Sequence, residues 1–277
     1  MQEVDRALER LYAGQNRVDR SAPPTPPRPH LTMPQPAPGS GSGSGSVEWA
    51  ATWPSTVITL EQQHGSRFES MAASLFSGHP EQHDKVVLFT SCNRAEGRST
   101  LVLTLARVLG RQPGKMLLID ADLTAPSLDR LLQIPGFQGL SDVVNNACAL
   151  NDAIIPTGIG RIDLLPLRAP IEKPREFLGS AGWTCLLAKA RREYEFVLLD
   201  GSPLFTGLST SLLQKTVDSA VLVVHRGVTN ETSILRAREV LEAGGVPVRG
   251  IAETFTQSSA YPSRVPLGVE TAGLAQD

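Results

Sequence analysis

The sequence is short of cysteine, of aromatic residues and of any excess of one charge. Three cysteines stand in 277 residues, Cys92, Cys148 and Cys185. They form no CxxC pair and no metal-ligand spacing, which excludes a disulfide framework and fits a reducing compartment. Lysine and arginine number 26 against 28 aspartates and glutamates, a net charge of −2. A chain so balanced lacks the basic face of a nucleic-acid binder, so no nucleic-acid partner is expected. No apolar run approaches the roughly 20 residues of a membrane helix. The start, Met-Gln-Glu-Val-Asp-Arg, has no apolar signal-peptide core. The expectation is a soluble, cytoplasmic protein that reaches the inner membrane only through a partner. What is present is a 41% hydrophobic content, enough for one sizeable α/β core with extensions.

Four segments follow from composition. Residues 1–14 predict an amphipathic helix, with Val4, Leu8, Leu11 and Tyr12 on one face and Gly14 as its stop. Such a helix serves equally as a docking peptide or as a frayed terminus, since isolated short helices are marginal in water. Residues 15–46 are a linker, Pro-rich over 21–38 and Gly/Ser-rich over 39–46, the first extended and the second a flexible coil. Residues 47–255 form the globular domain, and 256–277 a polar tail. Within the domain a helix is expected over 60–76. Strands are expected at 86–90, 116–119, 162–165, 196–199, 220–224 and 248–251. Helices are expected at 99–110, 127–132, 141–146, 176–193, 209–215 and 231–243. Alternating βα units with continuous apolar strands predict an α/β fold: a parallel sheet with helices on both faces.

The chemistry concentrates where strands end, the place where open α/β sheets bind ligands. After the first strand comes Cys92-Asn93-Arg94-Ala95-Glu96-Gly97-Arg98-Ser99-Thr100, opening onto a helix. Strand, loop and a Gly-basic-Ser-Thr helix start is the layout of a P-loop, G-x-x-x-x-G-K-[ST]. Cys92 stands at its first glycine and Arg98 at its lysine. Backbone N–H groups and the helix start suit a phosphate. Ser99 is placed to give a hydroxyl to Mg²⁺. The runs Leu118-Ile119-Asp120-Ala121-Asp122 and Leu198-Leu199-Asp200 end apolar strands in carboxylates, which a Mg²⁺–nucleotide site uses to hold metal and to orient or deprotonate a nucleophile. An Asp after one strand is often a simple turn cap; several such ends in order argue for a site. Arginine pairs with phosphate but is planar and bulky, so Arg98 can bind nucleotide and still misplace the transferred phosphoryl. Ala95 is costly if its backbone takes positive φ. Cys92 reads either as a small residue filling a glycine position or as a redox-sensitive thiol.

Beyond the motifs, the sequence resembles the cytoplasmic domain of bacterial tyrosine autokinases of capsule and exopolysaccharide export, part of the MinD/ParA-like P-loop group. The resemblance runs over residues 69–251. It is carried by Glu96 to Thr100, by Leu118 to Leu123, by Gly139-Leu140-Ser141-Asp142-Val143-Val144, Asp152-Ala153-Ile154 and Asp163-Leu164-Leu165-Pro166, by Tyr194 to Asp200, and by Val221 to Arg226. The opening Val4-Asp5-Arg6-Ala7-Leu8-Glu9-Arg10-Leu11 is similar to stand-alone members linked to exopolysaccharide and exosortase loci. The resemblance implies ATP and Mg²⁺ as cofactors, with Cys92 through Thr100 and Arg226 around the nucleotide. It implies Ser99, Asp120 and Asp200 at the metal, and Asp120, Asp122 and Arg98 as catalytic groups. It implies a membrane polysaccharide co-polymerase or export protein as partner, and allows a homo-oligomer. The departures fall on site positions. Arg98 replaces the lysine and Ala95 a glycine. Thr124 stands for an arginine, Ser209 for an aspartate and Thr254 for an asparagine. Ala72 and Leu75 replace two arginines of an assembly helix that keeps Glu69. The tail offers one tyrosine, Tyr261. The pattern implies tyrosine autophosphorylation that is weakened or lost, with an inactive scaffold or a MinD/ParA-like ATPase switch as the alternatives.

Overall fold

A computed structural model describes residues 51–76, 84–134, 136, 138–206, 212–213 and 216–255. The expectations for residues 1–46, for Ser209 and for Tyr261 lie outside these. The element order is α1 (Ser55–Phe76), β1 (Val86–Ser91), α2 (Arg98–Leu109), β2 (Met116–Ala121), α3 (Leu128–Leu131), α4 (Leu140–Val144) and α5 (Leu150–Ala153). Then come β3 (Ile155–Pro156), β4 (Ile162–Leu165), α6 (Pro174–Leu178), α7 (Ala181–Glu193), β5 (Phe196–Gly201), β6 (Ser219–His225), α8 (Glu231–Ala243) and β7 (Val248–Thr254). A short 3₁₀ turn, Leu204–Thr206, follows β5.

The strands form one seven-stranded sheet in the order β3-β4-β2-β5-β1-β6-β7. All neighbours are parallel except β3, which runs antiparallel to β4 over two residues. The expected all-parallel sheet is corrected at this edge; two residues are too few to show a period. Along the central strands neighbouring residues enter opposite cores. Leu88, Leu117, Ile119, Val197 and Leu199 join one core with Trp183, Leu186, Leu187 and Leu241. Val87, Phe89, Leu118 and Leu198 join the other with Val57, Leu103, Leu105 and Leu128. β1 and β2 are buried along their whole length, while β7 is half-buried and exposed in alternation. That is what a sheet covered on both faces and open at one edge requires.

Local signals set the breaks. The expected single helix over 176–193 is two. Gly179 ends α6, and the Ser180 hydroxyl caps α7 by accepting from the Trp183 N–H at 3.2 Å. Asn230 caps α8 through the Ser233 N–H at 2.7 Å. α1 starts five residues before its expected start and bends at His64, whose backbone leaves helical values. Strands β2, β5 and β7 each extend beyond their expected ends, so that Asp120 and Asp200 lie inside strands. Among the described residues no helix is long and apolar enough to cross a membrane.

Candidate functional site

Three carboxylates meet at the carboxyl ends of β2 and β5. Asp120 and Asp200 are register partners on these adjacent parallel strands, and Asp200 is also opposite Phe89 of β1. Alternation sends their side chains to the face that α2 covers, because Leu118 and Leu198, two residues earlier, belong to that core. Both aspartates are wholly buried. Arg98, at the first turn of α2, is the cation facing them.

The guanidinium of Arg98 uses all three nitrogens. Nε donates to Asp200 Oδ1 at 2.6 Å, Nη2 to Asp122 Oδ2 at 2.9 Å and Nη1 to Ser91 Oγ at 3.3 Å. Arg98 is 8% exposed. Burial works against its charge, but Asp200 and Asp122 outweigh that and hold it firmly protonated.

Asp122 is the hub. Its Oδ1 accepts from Ser202 Oγ at 3.0 Å, Thr124 Oγ1 at 2.9 Å and the Ala125 N–H at 3.1 Å. Its Oδ2 accepts from Arg98 and, at 3.3 Å, from Arg94. Burial pushes the Asp122 carboxyl up, yet Arg98, Thr124, Ala125 and Arg94 together hold it below the usual carboxylate range. Arg94 also donates to Thr124 Oγ1 at 2.6 Å. Thr124 stands where the resemblance expects an arginine, and the loop arginine supplies a guanidinium there from the other side.

Asp120 differs. Its Oδ2 accepts from the Ser127 and Leu128 N–H groups, each at 2.8 Å, and its Oδ1 from the Asp122 N–H at 3.3 Å. Burial, and then the charge of Asp200, push its pKa up to about 7 against these three bonds. It anchors the start of α3.

The loop itself wraps a cavity of about 320 Å³ lined by residues 94–100 together with Ser91, Asp122, Ala125 and Ser127. Ala95 takes φ 61°, the conformation that favours glycine. Gly97 takes φ 77°, and a Cβ there would meet Thr254 Cγ2 at 3.2 Å. Glu96 turns inward. It accepts from the Asn93 N–H at 3.1 Å and from Thr229 Oγ1 at 2.7 Å, and its carbonyl accepts from Thr254 Oγ1 at 2.7 Å. Thr229 and Ser202 are supports that the motifs did not reveal, and Thr254, at a position the resemblance gives to an asparagine, braces the loop as well.

Some expected site residues lie outside the cavity wall. Cys92 is wholly buried and donates to the Ser233 carbonyl at 3.6 Å. Burial, with Glu96 nearby, pushes its thiol up to about 12, which removes the redox-sensitive reading. Asn93 braces Glu96. Arg226 lies beyond the end of β6, pairs with Glu253 at 3.7 Å and is not among the residues lining the cavity. Ser99 and Thr100 are in the wall.

Magnesium asks for near-octahedral oxygen donors at about 2.0–2.1 Å. Every oxygen of Asp120 and Asp122 is already engaged, and Asp200 Oδ1 belongs to Arg98. Among the oxygens of these three aspartates, Asp200 Oδ2 is the one buried without a partner. Among the described residues no group of three or more acidic, cysteine or histidine side chains is arranged to hold a metal. In this arrangement a guanidinium stands among the carboxylates, bonded to Asp200, one of the expected metal ligands.

No protein-family model matches the chain. The tyrosine-protein kinase YwqD of Bacillus subtilis is 26% identical over 178 residues, 64% of this chain and 75% of YwqD. The kinase domain of VpsO is 28% identical, with a TM-score of 0.63 over 72% of this chain and 98% of that domain. The chimerical protein CapA2B2 superposes with a TM-score of 0.65 over 74% of this chain and 92% of its own, at 24% identity. Sequence and fold agree: the chain is similar to the bacterial tyrosine-protein kinases.

Proposed function

We propose that this chain is a nucleotide-binding, tyrosine-kinase-like protein of bacterial exopolysaccharide or capsule production whose phosphotransfer to tyrosine is weakened. The ion pairing of Arg98 with Asp122 and Asp200 carries this reading. A general base must be free to take a proton and matched to the working pH. Asp122 is tied to two arginines and held below the carboxylate range. Asp120 has the better-matched pKa, but backbone N–H groups hold both of its oxygens. The cavity retains what binding needs: a P-loop-shaped backbone, the start of α2 and the two cations Arg94 and Arg98. Bound ATP would lay its phosphates along residues 94–100, with Ser99 and Thr100 at the helix start. When present, Mg²⁺ supplies charge neutralisation of the phosphates.

A partner in the membrane is part of the proposal. The chain matches 27% of the tyrosine-protein kinase Wzc of Salmonella typhi but 75% of YwqD. The kinase-like part thus occurs within long chains and in short ones. This supports a polysaccharide-export partner supplied as a separate chain, with residues 1–14 as the docking segment and the protein at the cytoplasmic side of the membrane.

The test is ATP binding and phosphotyrosine formation by the full chain, by Arg98→Lys and by Asp122→Ala. The expected result is nucleotide binding with little phosphotyrosine in the wild type and more in Arg98→Lys. Robust wild-type phosphotyrosine that disappears in Asp122→Ala would overturn the weakened-kinase reading. Unchanged membrane recruitment after deletion of residues 1–14 would remove the docking proposal.

A further inference from the structure

We propose that this chain binds nucleotide phosphates without a divalent cation, the Arg98 guanidinium bonded to Asp122 and Asp200 supplying the positive charge that a metal would bring. The inference rests on the nucleotide-binding reading above and adds its cofactor chemistry.

The observations are geometric. Arg98 reaches both carboxylates at once, at 2.9 Å and 2.6 Å, and its third nitrogen meets Ser91. The group is buried, as are both of its acidic partners. A dication entering among these carboxylates would face a fixed positive charge in surroundings that screen it poorly. It could enter only by driving the guanidinium from bonded partners and leaving that charge uncompensated. Asp200 Oδ2 is the one carboxylate oxygen here without a hydrogen-bond partner, and it belongs to a carboxylate whose charge Arg98 already offsets through Oδ1.

The same arginine lines the cavity. It therefore stands between the acidic cluster and any phosphate held by the loop. Arg94, also in the wall and bonded to Asp122, adds a second cation. Two guanidiniums offset the charge of the cluster, and both arginines line the cavity. Arginine suits this task, being permanently charged and able to bridge oxygens in one plane. A lysine at position 98 could not touch Asp200, Asp122 and Ser91 in one plane.

The experiment titrates the full-length protein with fluorescent N-methylanthraniloyl-ADP, once in excess EDTA and once in excess Mg²⁺, for the wild type and for Arg98→Lys. A paramagnetic-resonance titration of Mn²⁺ into nucleotide-free wild type runs beside it and needs no variant to fold. Wild-type affinities in the two buffers are expected to agree within about twofold, and Arg98→Lys to gain more than about tenfold from Mg²⁺. The free Mn²⁺ signal is expected to persist undiminished on adding wild type. A wild-type loss of more than about tenfold in EDTA, or stoichiometric depletion of free Mn²⁺, would overturn the inference while leaving nucleotide binding intact. Absence of binding in both buffers would overturn the nucleotide-binding reading itself.

Discussion

Nε of Arg98 lies 2.6 Å from Oδ1 of Asp200, an ion pair between the first turn of α2 and the end of β5 with both side chains almost wholly inside the protein. Removing one partner of such a pair strands the other's charge, at a cost of about 3–5 kcal/mol. Arg98→Met should therefore lower the urea midpoint sharply. Asp200→Asn combined with Arg98→Met should lose less than the sum of the two single changes, with a coupling of at least about 1 kcal/mol. Strict additivity in urea melts would show that the pair does not act as a unit.

Ala95 carries a second, smaller strain. Its φ of 61° is left-handed, and the side chain is exposed at the cavity mouth. An L-residue there costs about 1–2 kcal/mol, part of which glycine returns through its freer unfolded chain. Ala95→Gly should thus stabilise the protein by about 0.5–1 kcal/mol. A chemical denaturation curve read at its midpoint decides this; a lower midpoint would mean that the loop does not hold this conformation in solution.

The sequence shows the strands and the acidic ends clearly because both are local patterns. Apolar runs closed by Asp120 and Asp200 mark strands and site together, and Asn230 marks the start of α8. The positive φ at Ala95 is also foreseeable, from the glycine that the loop pattern expects there. The partner that Arg98 chooses is not. Asp200 lies 102 positions away and reaches Arg98 only through the pairing of β1 with β5. The brace around Glu96 is hidden for the same reason, since Thr229 and Thr254 come from loops and strands far along the chain. Gly179-Ser180, by contrast, is a legible stop followed by a cap, and it divides a stretch whose apolar pattern alone reads as one helix.

Two glycines in helices test how tightly the layers are packed. A Cβ on Gly182 in α7 would come within 1.9 Å of the Val144 carbonyl at the end of α4, a contact that backbone must move to relieve. Gly182→Ala should cost about 3 kcal/mol or more, as overpacking against main chain does. Gly65 in α1 has nothing within 4 Å of the same built atom. Gly65→Ala should gain about 0.5–1 kcal/mol, the helix preference of alanine over glycine. Thermal melts of the two variants should therefore move in opposite directions. A Gly182→Ala melt that does not fall would contradict the close approach of α7 to α4, and a fall for Gly65→Ala would contradict the open space at that position.

Asp218 gives the fold a defined acid limit. It precedes β6, and its Oδ2 accepts from the Lys85 and Val86 N–H groups, each at 2.8 Å, and from Arg191 Nη1 at 2.7 Å. It therefore ties the start of β1 to α7. Burial pushes its carboxyl up, but the Arg191 bond, the Val86 N–H, the Arg191 charge and the Lys85 N–H hold it below its ordinary value. With the folded value below the unfolded one of about 3.9, the unfolded chain takes up the proton first as pH falls. The contribution is thus complete above pH of about 3.9 and is lost as pH drops through the folded value. Asp218→Asn should cost about 1.5–3 kcal/mol at neutral pH, the worth of hydrogen bonds to a charged group. The gap between wild type and variant should close as pH falls below about 3.9. Urea midpoints measured for both proteins from pH 7 down to pH 3 would show this convergence; a gap that stays constant with pH would mean that the Asp218 charge contributes nothing to holding β1 in place.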